Sequence, residues 1–298
     1  MKSFLARSLY CFKMKADDKL REKEDHMNVA VLVPFRDEPS QNRERHLRIF
    51  LETMPPILDL ALGPGKWRIF VGVQPLDGHK FSRGRVLNAT FCVAMKLYPE
   101  CDRVILHDVD LIPDVNRAKG YGLCLPSPRL LLALNTTGEY ATLAGYIGGI
   151  CAMHPSQFVL VDGFPNEMEG WGGEDDALRD RIGAGSIGTY TAGTVRNLEE
   201  EEEEGVFVRA KNTPSCKMPK EDRRRVRDLW RRNSPEVTGV TSLLFSAKEM
   251  FPPKLPPNVQ MFEVDVFGWI VATSKSSGKN YYAHIPTGKT QWHRPTYT

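Results

Sequence analysis

Residues 104–113 read Val-Ile-Leu-His-Asp-Val-Asp-Leu-Ile-Pro. Val104 to Leu106 has the pattern of a buried strand, and two aspartates one residue apart, Asp108 and Asp110, close it. Carboxylates crowded at a strand end repel each other, and desolvation adds to the cost. A divalent cation removes that cost. Hard oxygen ligands at this spacing suit Mn or Mg, and such an ion bridges the two phosphates of a nucleotide. From this segment alone, an aspartate pair that merely caps a strand and a turn reads equally well.

The flanking sequence alternates strand-like and helix-like stretches. Met27 to Phe35 is a strand-like run ending at Pro34. Arg43 to Leu60 reads as a helix with Leu47, Phe50, Leu51 and Met54 on one face. Trp67 to Val73 is a second strand, Arg85 to Leu97 a second helix, and Val104 to Leu106 a third strand. This alternation predicts an α/β sheet that gathers ligands at the carboxyl ends of its strands. Leu143 to Met153 is apolar with paired glycines, the pattern of a buried strand approached closely by something else. Glu199 to Glu204 is a run of six glutamates, which reads as a solvated loop, with a metal-binding role as the alternative. Arg223 to Arg232 is a basic helix, either a solvated face or one turned to phosphate. Phe251 to Asn258 is a proline-rich connector with polyproline II tendency.

Composition excludes little. The chain has 298 residues, enough for one full domain and a small module. Net charge is +3, which gives no argument for a nucleic-acid partner, and none is expected. No stretch approaches the ~20 apolar residues of a membrane-spanning helix. The six cysteines follow no zinc-ligand spacing and read as free thiols.

A second constellation lies at residues 162–177, DGFPNEMEGWGGEDDA. Glycines 170, 172 and 173 flank Trp171, and Glu174, Asp175 and Asp176 follow. An indole held between glycines offers a platform for a sugar ring, and carboxylates beside it accept hydrogen bonds from hydroxyls. One of them could take the proton from an attacking hydroxyl. An acidic helix start explains the acids but not the Gly-Trp-Gly-Gly before them.

Five segments in one order carry a resemblance. They are VPFR (Val33–Arg36) with RERHL (Arg43–Leu47), FSRGRVLNATF (Phe81–Phe91), HDVDLIP (His107–Pro113), YIGGICA (Tyr146–Ala152) and GWGGEDD (Gly170–Asp176). Residues 29–266 resemble the β-1,4-galactosyltransferase family, inverting enzymes of the Rossmann-like GT-A fold. The resemblance implies that Pro34, Phe35, Arg36, Arg43, Phe81 and Arg83 contact the nucleotide. Asp108 would lie beside it and Asp110 would ligate Mn or Mg. Tyr146 falls where the family distinguishes galactose from N-acetylgalactosamine, and a tyrosine there implies galactose. Trp171 would touch sugar and diphosphate, Glu174 and Asp176 would hold the acceptor, and Asp175 matches the general base. The implied activity is transfer from UDP-galactose to a sugar hydroxyl of a glycan or glycoconjugate, giving a β linkage. N-acetylglucosamine, xylose and glucose are all open as acceptors. Two alternatives stand: a catalytically weak relative acting as an adaptor, and an N-acetylgalactosaminyltransferase.

The chain departs from the family pattern at three places. The family supplies further metal ligands, a Met and a His, downstream of the catalytic segment; the stretch expected to correspond, Gly205–Lys217, has neither. A glutamate of the preceding run is a candidate substitute. Ala177 stands at the third acid of the family's E-D-D-D. No membrane anchor is visible, so the family's Golgi lumen and the cytoplasm both remain open.

Residues 265–297 resemble a WW domain, with Trp269 and Trp292 as its signature pair. The resemblance implies a groove of Tyr281 and Trp292, with Thr290 beside it, gripping a proline-rich peptide. Trp269, Tyr282 and Pro295 would form the structural buckle. Ile285 replaces the usual groove histidine, and Val266-Phe267 replaces the usual Leu-Pro. The alternative is a β-hairpin packed on the main domain. The expected organisation is an extension over 1–26, an α/β GT-A domain over 27–262 and a three-stranded antiparallel WW-like module over 263–298.

Overall fold

The computed structural model describes residues 27–123, 127–130, 146–202, 217–232, 234, 236–267, 269–273, 277, 279–284 and 290–291. The expected N-terminal extension lies outside them.

In chain order the first strands are β1 (Val29–Phe35), β2 (Trp67–Val73), β3 (Arg103–His107), β4 (Leu111–Pro113) and β5 (Arg129–Leu130). β6 (Ile150–Met153), β7 (Gly188–Thr189), β8 (Val195–Asn197), β9 (Ser246–Met250) and β10 (Val259–Asp265) follow. The main sheet has the order β7-β5-β6-β3-β1-β2-β10-β9, and β4 pairs with β8 beside it. Its centre is parallel, with β1 between β2 and β3 and with β10 on the far side of β2. β6 and β9 run antiparallel to it.

Every residue of β1 is buried, which is why its sequence lacks polar alternation. Helix α1 (Arg43–Leu62) covers one face and packs Leu47, Phe50, Met54 and Leu58 on Val31, Val33, Ile69 and Ile105. Helix α2 (Arg83–Leu97) covers the other and packs Val86, Leu87 and Phe91 on Ala30, Leu32, Phe70 and Val104. Each such aliphatic side chain contributes roughly 1.5–3 kcal/mol relative to exposure. Short helices α3 (Val115–Lys119) and α4 (Pro155–Leu160) precede α5 (Glu174–Ile182) and α6 (Lys220–Arg231).

Two expectations change. Of the strand expected over 143–153, Ile150–Met153 is a strand and Tyr146 to Gly149 is irregular, with Gly149 at φ 84°, while residues 143–145 lie outside the described residues. The proline-rich connector after Phe251 joins the antiparallel neighbours β9 and β10. The boundary expected at 262/263 falls inside β10, which pairs with β9 as far as Asp265.

The tail begins immediately afterwards. β11 (Trp269–Thr273), β12 (Asn280–His284) and β13 (Thr290–Gln291) form an antiparallel sheet in that order. Val266 is buried in the main core, and Phe267 stacks on His79 at 4.1 Å with Arg85 over its ring at 4.3 Å.

Candidate active site

The parallel strands β1 and β3 deliver Arg36 and Asp108 to the same end of the sheet, and the first residues of α1 and α2 deliver Arg43 and Arg83. Two arginine clamps organise the acids there. Arg83 donates from Nε to Asp108 at 2.7 Å and from an Nη to Asp175 at 2.8 Å. Arg43 donates to Asp110 at 2.7 Å and also to Glu199. One buried cation thus joins the aspartate of the β3 tip to the aspartate at the start of α5, 67 residues further along the chain. The two acidic constellations meet at a single guanidinium.

These contacts set the ionisation of the site. Burial pushes Asp108 up to about 6 against the opposing pull of Arg83. Asp110 lies below the usual carboxylate range: burial raises it, but the Arg43 charge and hydrogen bond outweigh that. Arg43 and Arg83 are both held above the ordinary guanidinium range, because their acid partners overcome burial. Burial, then the Asp175 charge, raises Glu174 to about 7, and its Oε2 is buried without a hydrogen-bond partner. Buried His107 falls to about 4 and is neutral. Its Nδ1 faces the Asp108 carbonyl at 2.8 Å and must donate, so Nε2 accepts from the Tyr121 hydroxyl at 2.8 Å. This pair fixes the backbone from which Asp108 projects.

Glycines give the site its shape. A Cβ on Gly148 would sit 2.2 Å from the Tyr146 hydroxyl and 2.5 Å from Asp175 Oδ2. The paired glycines at 148–149 therefore leave room for a tyrosine and a carboxylate to approach the backbone. Gly148→Ala is expected to displace Asp175 and lower kcat/KM by about a hundredfold, with kinetics and a melting curve as the check. Gly172 and Gly173 both have φ of 100°, and a Cβ at 173 would lie 2.5 Å from Arg223 Cδ. The basic helix α6 thus lays Arg223 across the turn that precedes Asp175, while Arg227 and Arg231 pair with Asp180.

Not every expected residue converges. Trp171 is 43% exposed, with its carbonyl taken by the Met218 N–H at 3.2 Å. Asp176 pairs with Arg179 on its own helix at 3.0 Å and is 44% exposed. Pro34 and Phe35 are buried at the end of β1, whereas Arg36 reaches the His79 carbonyl at 2.7 Å and lies 5.7 Å over Phe81.

The glutamate run is the largest correction. Glu199 and Glu202, expected in a solvated loop, are 20% and 9% exposed and pair with Arg43 and His46. Residues 203–216 lie outside the described residues, so the stretch expected to replace the family's Met and His does too, apart from Lys217. Among the described residues, no three His, Cys, Asp or Glu side chains stand as a ready metal-ligand set.

A family profile for the N-terminal region of glycosyl transferase group 7 matches residues 18–122, and one described as the N-terminal domain of galactosyltransferase matches 128–197. Together they span more than half the chain. Human β-1,4-galactosyltransferase 4 is 40% identical over 157 residues, covering 52% of this chain and 42% of that protein. Human β-1,4-galactosyltransferase 2 is 38% identical over 158 residues, covering 52% and 39%.

The chain belongs to the β-1,4-galactosyltransferase family.

It spans about two fifths of the length of those relatives. The catalytic domain of Drosophila β-1,4-galactosyltransferase 7, solved with xylobiose, superposes with a TM-score of 0.60 at 22% identity, over 81% of this chain and 94% of that one. A mutant of the same enzyme, solved with manganese, UDP-Gal and xylobiose, gives 0.59 at 23% identity, again over 81% and 94%. These likenesses establish the GT-A fold for this galactosyltransferase-family chain. A WW-domain profile matches residues 267–295, and the three-stranded sheet of β11 to β13 lies within it. Register sets Tyr281 opposite Ala272 and Thr290 opposite Ala283; Trp292, the other expected groove residue, lies outside the described residues.

Proposed function

We propose that this chain transfers galactose from UDP-galactose to a sugar hydroxyl with inversion, and that a divalent cation assists it. The Arg83 bridge between Asp108 and Asp175 carries this reading. It sets a donor-side acid and an acceptor-side acid across one cleft, which an inverting single displacement requires. Asp175 is the general base, taking the acceptor proton as the hydroxyl attacks. Glu174, buried and raised towards neutral pH, is suited to hydrogen-bond an acceptor hydroxyl. Exposed Trp171 offers a face to a sugar ring. Asp176 contributes an acceptor contact only after leaving Arg179. Arg36, Arg43, Phe81 and Arg83 line the nucleotide side, beside Asp108 and the end of β1 at Pro34 and Phe35. Tyr146, close to Asp175 across Gly148, borders the donor sugar.

A hard divalent ion, Mn or Mg, would be held at Asp110, which is paired with Arg43 here and has no ready set of further ligands among the described residues. Its carboxylate is the hard oxygen donor such an ion takes, and the ion would replace the Arg43 guanidinium as its counter-charge. Such an ion, when bound at Asp110, supplies Lewis-acid stabilisation of the departing diphosphate. The protein's own contribution is to orient both substrates, to hold Asp175 through Arg83 and to keep the acids from neutralising one another. The domain over 27–262, extended to Asp265, carries this chemistry, and the WW domain with Tyr281, Thr290 and Trp292 receives a proline-rich peptide.

UDP release from UDP-galactose tests the reading, measured with and without Mn over N-acetylglucosamine, glucose and xylose. Release is expected only with the cation and at least one acceptor, and UDP-N-acetylgalactosamine is expected to substitute poorly. Release no faster than hydrolysis in every combination would overturn it.

A further inference from the structure

We propose that Phe267, the first residue of the WW-domain match, is a positioning residue for the donor nucleotide, acting through His79 and Arg36. This rests on the donor-site reading above. The segment between β2 and α2 leaves the carboxyl end of β2 beside that of β1, the edge at which such sheets gather ligands. Buried Gln74 closes its base: Nε2 donates to the Lys80 carbonyl at 3.1 Å, and Oε1 accepts from the Ser82 N–H at 2.9 Å. Its apex stands in solvent. Leu76 to His79 are exposed, and Gly78 has a φ of 84°. The tail holds this apex. Phe267 stacks on the His79 ring at 4.1 Å with the planes 5° apart, and Arg85 lies over the same phenyl ring at 4.3 Å. An Nη of Arg85 also donates to the Val266 carbonyl at 3.3 Å, so α2 grips the chain where β10 ends. His79 Nδ1 in turn faces Glu169 at 3.5 Å.

The consequence for the nucleotide lies in the His79 backbone. Its carbonyl accepts from one Nη of Arg36 at 2.7 Å, while the other Nη reaches Glu38 at 3.3 Å. Both outer nitrogens of the guanidinium are thereby engaged. Arg36 Nε is buried and, among the described residues, has no hydrogen-bond partner. A buried donor left open is costly, and an oxygen of the nucleotide satisfies it. The contacts therefore run in series from the Phe267 ring to the His79 ring, to the His79 carbonyl and to Arg36. A small displacement at the first member misplaces the last, and binding groups act only when correctly placed. The sequence supplies the ring for this purpose. WW domains usually carry Leu-Pro at this point; here Val266 enters the main core, and Phe267 offers the flat aromatic face that a proline lacks.

The test uses the full chain with Mn and measures KM and kcat for UDP-galactose, UDP affinity by calorimetry, and melting curves as the folding control. Phe267→Ala is expected to raise KM and the UDP dissociation constant about five- to tenfold, with kcat within about twofold of the unsubstituted protein, the signature of lost ground-state binding. Phe267→Tyr keeps the ring and is expected to restore both. His79→Ala, at an exposed position where folding is not at risk, removes the same stack and is expected to weaken UDP to the same degree. The double variant is expected to be no worse than either single one, because both substitutions delete one contact. Unchanged UDP affinity in Phe267→Ala and His79→Ala, whatever the fall in Tm, would overturn this inference while leaving the donor site standing. Additive losses in the double variant would also overturn it, since they require two separate routes. An unsubstituted protein that binds no UDP would remove both this inference and the reading beneath it.

Discussion

Asp175→Asn is expected to lower kcat by about a thousandfold while leaving UDP affinity unchanged, because a positioned base contributes roughly 10²–10⁴ to a proton transfer. The substitution keeps size and one acceptor oxygen, so the Arg83 contact at Oδ1 survives in neutral form. What it removes is the capacity of the other oxygen, which faces Tyr146 across Gly148, to accept a proton. The proposed nucleotide contacts include Asp108, on the other side of Arg83 from Asp175, so binding of UDP by calorimetry is the control. A normal rate would show that another group takes the proton. Loss of both rate and UDP binding would show that Asp175 acts by holding Arg83 and not as the base.

The fold was legible where burial is two-sided. β1 is a continuous apolar run, and β2 is broken only by Arg68 and Gly72, because helices cover both faces. The helix starts were legible less well. Arg83 opens α2 two residues before the expected start at Arg85, so its place at the first turn, aimed at Asp108, was invisible to periodicity. Local motifs identified Asp108, Asp110 and Asp175 but not their pairing, which depends on a guanidinium supplied from a third segment. The glutamate run was misjudged for the same reason. Repulsion among like charges is a local property, whereas the burial of Glu199 and Glu202 comes from β4–β8 pairing and from basic residues more than 150 positions upstream. The proline-rich stretch was legible as a connector, but polyproline tendency carries no information about which strands lie at its two ends.

Arg83→Met is expected to destabilise the protein by about 3 kcal/mol at pH 7.5, the lower end of the range for breaking a buried ion pair, since Asp108 retains some exposure. For a domain of this size that is a fall of about 6–12 °C in Tm. Methionine keeps most of the aliphatic stem, so packing changes little and the loss is chiefly electrostatic. Removing the cation leaves Asp108, Glu174 and Asp175 facing one another with less compensation. Asp108 and Glu174 already sit at about 6 and about 7, above their ordinary values, and Arg83 is a charge that pulls both down. Without it both rise further. A carboxyl raised in the folded state binds its proton more tightly there than in the unfolded chain, so its stabilising contribution is present at low pH and is lost as pH rises through the folded value. The gap in Tm between the variant and the unsubstituted protein should therefore narrow between pH 7.5 and pH 5, as protons replace the missing guanidinium. Melting curves across that range measure it. A gap that stays constant with pH would mean that Arg83 acts through packing, and the electrostatic account of the cleft would fail with it.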